Sequence, residues 1–458
     1  MTHYKTVNPA TGQTLREFPT LDEQGVEEAL SRAEKGFHAW RATPPAERAV
    51  VLSTVAQAYD ERAEELAAQI TLEMGKPVRQ AVGEVKLSSM IYAYYAEHGP
   101  ALLEDQPLDV PGADESVVRK LPIGPLLGVM PWNFPYYQVA RFAAPNLMLG
   151  NSVLLKHAPS CPQSALLMEE VFVSAGLPAD AYVNIFATND QIADIIADAR
   201  VQGVSLTGSE RAGAAVAEVA GRNLKKVVLE LGGSDAFIVL DSDDMDATVK
   251  SATRGRMSNT GQACNAAKRF IVVEPYYDEF VTKLTASFEA MKPGDPSDPR
   301  TAIGPLSSQS AADTLTEQVE TAVSEGATLL TGGHRIDGPG AYVEPTLLAD
   351  VKPHMRAFAE ELFGPVGVVY KVSSAEEAVK LANESSFGLS GSVWSSDVGA
   401  AREVADQLEV GMAFVNEHGT TLPGLPFGGV KRSGFGRELG PWGMDEFVNK
   451  KLVRVSKA

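Results

Sequence analysis

Apolar positions recur at helical spacing through most of the first hundred residues. Val26, Ala29, Leu30, Ala33, Phe37 and Trp40 stand three or four apart and predict a helix over 22–40. A longer helix is predicted over 45–74, stopped by Gly75-Lys76-Pro77, a glycine cap followed by a breaker, and another over 78–98. Short β-rich runs begin around 116–119. From Ser152 strand and helix alternate, with strands at 152–156, 182–186, 203–206 and 226–231 and helices at 163–175, 191–199 and 209–220. That alternation predicts a parallel, doubly wound α/β sheet whose ligands sit at the carboxyl ends of its strands. After Gly232-Gly233 comes a second α/β run, with strands near 237–240 and 270–274 and helices near 244–257 and 276–291, read as a second domain.

One stretch has the length of a membrane span. Residues 121–140 carry no charge between Lys120 and Arg141, but they contain Pro122, Pro125, Pro131 and Pro135 together with Asn133 and Gln138. A spanning helix would lose backbone hydrogen bonds there with nothing to replace them, so the expectation is a buried, irregular segment. The first twenty residues lack a basic head followed by an apolar core, so no signal peptide is expected.

Composition narrows the classes. At 458 residues the chain is about three times a typical domain. With 44% apolar and 22% charged residues it is an ordinary globular protein, not a disordered or fibrous one. Lys plus Arg number 40 against 59 Asp plus Glu, and the net charge of −19 disfavours nucleic acid and anionic lipid as partners. Two cysteines, Cys161 and Cys264, build neither a disulfide framework nor a four-cysteine metal site, which points to the cytoplasm. The seven histidines show no paired metal spacing, so no metal is expected.

Three residues are candidates for chemistry. Cys264, in Gly261-Gln-Ala-Cys264, is a nucleophile if cations such as Lys268 or Arg269 favour its thiolate; otherwise it is a core cysteine. Glu230 ends an apolar run, where burial raises a carboxyl toward the pKa of a general base unless the side chain reaches solvent. Asn133, in Pro131-Trp-Asn-Phe-Pro135, either offers an NH2 to a developing oxyanion or stabilises a turn. Thr207-Gly-Ser209 follows a strand and opens a helix, a place where phosphate meets backbone N–H groups or where Ser209 is a plain cap. No GxGxxG follows any of these strands. Cys161 reads as an inert thiol in a loop.

With Leu206-Thr-Gly-Ser209, Leu229-Glu-Leu-Gly-Gly233, Glu360-Glu-Leu-Phe-Gly-Pro365 and Pro426-Phe-Gly-Gly-Val-Lys-Arg-Ser-Gly434, six motifs stand in one order along the chain. In that order the chain resembles the NAD(P)-dependent aldehyde dehydrogenase superfamily over essentially its full length. The resemblance implies two doubly wound α/β domains plus an oligomerisation element. The dinucleotide-binding domain would comprise 1–103 and 122–232, the catalytic domain 233–432, and the oligomerisation hairpin and tail 104–121 and 433–458, joining a homodimer or homotetramer.

It further implies that Cys264 attacks an aldehyde, that the Asn133 side chain and the Cys264 N–H hold the oxyanion, and that Glu230 activates the hydrolytic water. Lys156 would bond the adenosine ribose, and Gly208 and Ser209 would approach the pyrophosphate. Glu361 and Phe363 would position the nicotinamide ribose and ring, with Trp132 lining the channel. Pro159 stands where NAD-selective members often carry a glutamate, so the cofactor is NAD or NADP.

Within the superfamily the chain is most similar to bacterial succinate-semialdehyde dehydrogenases. There an arginine at the place of Arg141 grips the substrate carboxylate, and Thr421 matches a hydroxyl residue that bonds it. Ser258 stands where some members have a second arginine, and Glu417, if it faced the pocket, would repel a carboxylate. A broad dehydrogenase of uncharged aldehydes, a non-catalytic member, and a cysteine hydrolase without a redox step are the competing readings.

Overall fold

Five parallel strands lie at the centre of the first sheet, and their spatial order places the site. In the computed structural model, which describes residues 4–456, the order is Lys226–Glu230, Gly203–Thr207, Pro125–Val129, Ser152–Lys156, Tyr182–Asn184. The chain enters at Pro125–Val129, runs outward to Tyr182–Asn184, and returns to the other side through Gly203–Thr207. The reversal therefore lies between Pro125–Val129 and Gly203–Thr207, and a doubly wound sheet binds its ligand at such a switch point. The loops leaving these two strands carry Trp132 and Asn133 on one side and Gly208 and Ser209 on the other.

The second sheet has seven strands in the order Thr328–Thr331, Thr346–Ala349, Val366–Val372, Ala267–Val273, Asp235–Val239, Ser390–Trp394, Met412–Val415, parallel except for the first. Ala267–Val273 is buried at every position, as expected of a strand covered on both faces, and it begins three residues after Cys264. A third, antiparallel sheet joins Gln106–Pro107 and Ala113–Pro122 to Val448–Ser456. Gly434–Phe435, just inside the segment expected to form the tail, instead pairs antiparallel with Lys226–Glu230 and extends the first sheet. Residues 1–3 and 457–458, the ends of the expected domain segments, lie outside the described residues.

The sequence pattern misled at three places. Residues 121–140 are mostly buried, as expected, but irregular only at 123–124 and 130–134: Pro125–Val129 is the central strand and Pro135–Leu149 a fully buried helix. The prolines occupy positions that tolerate them, Pro125 opening the strand and Pro135 the helix. The helix expected over 45–74 is two, Pro45–Glu61 and Ala63–Met74, broken at Arg62 (φ −101°, ψ 17°). The Arg62 guanidinium is held there by Glu65 and Glu170. An N-terminal hairpin, Tyr4–Asn8 with Gln13–Phe18, escapes a reading by periodicity because its second strand is polar and exposed along almost its whole length. Among the described residues no helix is long and apolar enough to cross a membrane.

Candidate active site

The turn that carries Cys264 is held in an unusual backbone shape. Asn259 (φ +53°), Thr260 (φ +55°) and Gly261 (φ +75°) are left-handed in succession, and a β-branched residue such as Thr260 adopts that region only under constraint. The constraints are identifiable. The Asn259 N–H donates to Gln80 Oε1 at 2.6 Å, and its side-chain amide donates to the carbonyls of Asn133 (2.9 Å) and Gln262 (3.0 Å). The Thr260 hydroxyl accepts from the Gly304 N–H at 3.0 Å. Buried Arg256 donates to the carbonyls of Gly261, Leu362 and Gly364, tying the turn to the segment that carries Glu361 and Phe363.

Cys264 opens onto a cleft of about 860 Å³ between the two large sheets, lined also by Phe134, Tyr137, Asp235, Thr421 and Phe427. Burial of its sulfur pushes the thiol up to about 12, against the pull of Arg141 and Lys268. Asn133 lies beside the same turn: its Nδ2 donates to the Gln262 carbonyl at 3.1 Å, which leaves the second amide proton free. Its neighbour Trp132 meets Phe363 edge-on, with ring centroids 5.7 Å apart.

Glu230 ends its strand and is buried, and neither carboxylate oxygen has a hydrogen-bond partner. Burial raises its pKa well above the ordinary carboxylate range, opposed by Arg141 and reinforced by Glu438. The carboxylate lies under Gly428, where an added Cβ would meet Oε1 at 2.7 Å, and it is not part of the cleft lining.

Arg141 is placed differently from a substrate fork. Its guanidinium is completely buried, ion-paired with Glu438 at 2.7 Å, and stacked over Phe427 at 4.1 Å. It stands one layer behind the cleft wall and reaches the wall through Tyr137, donating to that hydroxyl at 3.3 Å; Tyr137 in turn donates to Thr421 at 3.4 Å. Glu417 is exposed and accepts from the Thr420 hydroxyl at 2.6 Å, and unlike His418, Thr420 and Thr421 it does not line the cleft.

At the carboxyl ends of the first sheet's strands the residues present fit a dinucleotide. The Lys156 ammonium is buried at the carboxyl end of its strand, makes no ion pair or hydrogen bond with another described residue, and is lowered by burial to about 8. Gly208 borders open space, a Cβ there meeting only Leu206 Cδ2 at 3.7 Å, and Ser209 caps the helix Glu210–Arg222 by accepting from the Ala212 N–H. Pro159 offers no carboxylate, and its carbonyl is taken by the Lys5 N–H. Glu361 accepts from the Gly233 N–H at 3.2 Å and pairs with Lys268 at 3.0 Å. Cys161 is a buried cap at the start of Pro162–Ser174, its thiol raised well above the ordinary range by burial. Among the described residues no cluster of three or more metal-ligating side chains occurs.

Sequence reasoning missed Lys76, Glu84, Gln80, Gln262 and Arg256, which shape the site without touching the cleft's reacting end. Other polar residues stand near each of them in sequence, so nothing there sets them apart from solvated residues of helices and turns.

Residues 1–453 match the model of the aldehyde dehydrogenase family. A succinate-semialdehyde dehydrogenase (NADP+) of Deinococcus radiodurans is 55% identical over 452 residues, covering 99% of this chain and 94% of that one. The succinate semialdehyde dehydrogenase (NAD(P)+) Sad of Escherichia coli is 46% identical, covering 99% and 98%. The crystal structure of a succinic semialdehyde dehydrogenase from Streptococcus pyogenes in complex with NADP+ superposes with a TM-score of 0.97 at 44% identity, covering 99% and 100%.

Proposed function

The chain belongs to the aldehyde dehydrogenase family, and on that footing we propose that it oxidises succinate semialdehyde to succinate with NADP+. The observation that carries the reading is the placement of Cys264 at a cleft whose wall ends in the Arg141–Tyr137–Thr421 chain, a positive charge reaching the cleft through two hydroxyls.

In this reading the Cys264 thiolate, favoured by Arg141 and Lys268, adds to the aldehyde carbon. The free amide proton of Asn133 and the backbone N–H of Cys264 receive the charge that develops on oxygen. NADP+, when bound, supplies the hydride acceptor that takes the substrate from aldehyde to acyl level. Lys156 would hold it at the adenosine ribose, Gly208 and Ser209 at the pyrophosphate, and Glu361, Phe363 and Trp132 around the nicotinamide. The unpaired Lys156 and the absence of a carboxylate at Pro159 favour a 2′-phosphate, hence NADP+ over NAD+. Glu230, unbonded at both oxygens, turns from Gly428 toward Cys264 and takes a proton from the water that releases succinate from sulfur. Thr421 and Tyr137 hydrogen-bond the far carboxylate, with the Arg141 charge behind them.

The protein is a homo-oligomer, dimer or tetramer, joined through the three-stranded sheet, on which Leu452 and Val455 are exposed, with exposed Leu108 just after its first strand. Its two free thiols suit the cytoplasm. Cys264→Ala tests the chemistry: it should abolish NADPH formation from succinate semialdehyde while leaving NADP+ binding intact. NADPH formation that survives the substitution would overturn the reading.

A further inference from the structure

The buried ammonium of Lys268 has three acceptors. It donates to the carbonyls of Ala263 at 2.9 Å and Cys264 at 2.7 Å, and it pairs with Glu361 Oε1 at 3.0 Å. These use all three of its protons. Glu361 Oε1 also accepts from the Gly233 N–H, and Gly233 lies so close over the Cys264 carbonyl that an added Cβ would collide with it. One lysine therefore clamps the nucleophile's own backbone to the carboxylate that, in the reading above, serves the dinucleotide.

We propose that Lys268 is a positioning residue that reports occupancy of the Glu361 carboxylate to the Cys264 thiol. The inference rests on the assignment of Glu361 to the nicotinamide ribose. While Glu361 faces Lys268, its negative charge offsets the lysine's field at the sulfur. When ribose hydroxyls draw the carboxylate away, Lys268 keeps its bonds to the two carbonyls, and its charge acts on the thiol without that offset.

The groups facing the two partners bear this out in sign. At Cys264, Arg141 and Lys268 favour the thiolate, while Glu361 and Glu230 oppose it. Lys268 also faces Asp235, which is bonded to Ser390 and raised to about 7 by burial. Arg269, next in sequence, is spent on the carbonyls of Ser234, Leu381 and Ala382 and is not available to replace Lys268. Burial holds the thiol up, so the thiolate depends on the balance between the two cations and the two carboxylates beside it, and Glu361 is one of those carboxylates.

The test is the rate of iodoacetamide alkylation of Cys264 against pH, in the full-length protein without aldehyde, with and without NADP+. Cys264→Ala gives the blank, and quenching of tryptophan fluorescence reports NADP+ binding independently. In the wild type NADP+ is expected to move the profile down by about one pH unit, about a tenfold faster alkylation at neutral pH. Lys268→Met should bind NADP+ without moving its profile, and Lys268→Arg should restore the shift. Glu361→Gln should show the lowered profile with no NADP+ present, a result that does not depend on Lys268→Met folding.

An equal shift in Lys268→Met and wild type, a wild-type-like profile in Glu361→Gln, or NADP+ binding to the wild type with no shift would each overturn the link and leave the functional reading standing. A wild type that does not bind NADP+ overturns that reading, and the link with it.

Discussion

Lys76 and Glu84 form an ion pair sealed from solvent, and both partners also hold the backbone around Asn133. Lys76 Nζ donates to the Asn133 carbonyl at 2.9 Å and lies 3.6 Å from the centroid of the Phe134 ring. Glu84 Oε1 accepts from the N–H groups of Tyr136 (2.9 Å) and Tyr137 (3.2 Å), in the first turn of Pro135–Leu149, where a carboxylate also meets the positive end of the helix dipole. The amide expected to hold the oxyanion is thus fixed from both sides by a pair more than forty residues away in sequence.

Lys76→Met leaves a buried carboxylate unpaired and should cost about 3–5 kcal/mol in chemical denaturation. Adding Glu84→Gln should recover part of that stability. It should not recover kcat, because the Asn133 carbonyl still lacks the Lys76 ammonium and keeps only the Asn259 amide as donor. A double variant with wild-type kcat would show that the pair serves stability alone.

Glu230 has a pKa raised in the folded protein, so folding is favoured while it is protonated and loses stability as pH rises above the ordinary carboxylate range. Glu230→Gln should therefore have a higher Tm than wild type at pH 8, with the gap closing toward pH 5. The same change should slow thioester hydrolysis by at least about a hundredfold, seen as NADPH released in a single burst followed by a slow steady state. A variant that gains stability and keeps full steady-state turnover would remove Glu230 from the role of base.

The residues proposed to react were legible because they sit in short local motifs: Asn133 between two prolines, Glu230 at the end of an apolar run, Cys264 just after Gly261. The parallel sheet was legible wherever strand and helix alternate. Pro125–Val129 was not, because a strand buried on both faces has no alternation and merges with the buried helix that follows it. Nor was the setting of Arg141. Its partner Glu438 is almost three hundred residues away, and only the fold shows that the pair lies behind Tyr137. Lys76 read as part of a helix stop, and Gly75 does cap that helix, but the lysine side chain serves a different loop.

Because Arg141 reaches the cleft through Tyr137, the milder probe of carboxylate recognition is Tyr137→Phe. Loss of that hydroxyl should raise KM for succinate semialdehyde about tenfold or more, the scale of a hydrogen bond to a charged group. Kinetics with hexanal should barely change. Equal effects on both substrates would place the carboxylate elsewhere, the unpaired Arg79 and Arg254 at the cleft rim being the next to examine.

Burial lowers the Lys156 ammonium to about 8, so NADP+ should bind well below that pH and weaken by up to about tenfold per unit above it, measured as Kd by fluorescence quenching. Lys156→Met should flatten this dependence and penalise NADP+ more than NAD+. Pro159→Glu should turn preference toward NAD+ by at least about tenfold through repulsion of the 2′-phosphate. Unchanged preference in both variants would separate this corner from the phosphate.

Oxidation of a carboxylate-bearing aldehyde with NADP+ is tested most directly by steady-state NADPH and NADH formation. Succinate semialdehyde, hexanal and benzaldehyde would each be run with both dinucleotides. The expected result is a kcat/KM for succinate semialdehyde with NADP+ at least about tenfold above every other combination, or about 1.4 kcal/mol of transition-state discrimination. If the uncharged aldehydes are oxidised more efficiently, Cys264 chemistry stands and the assignment of succinate semialdehyde is contradicted.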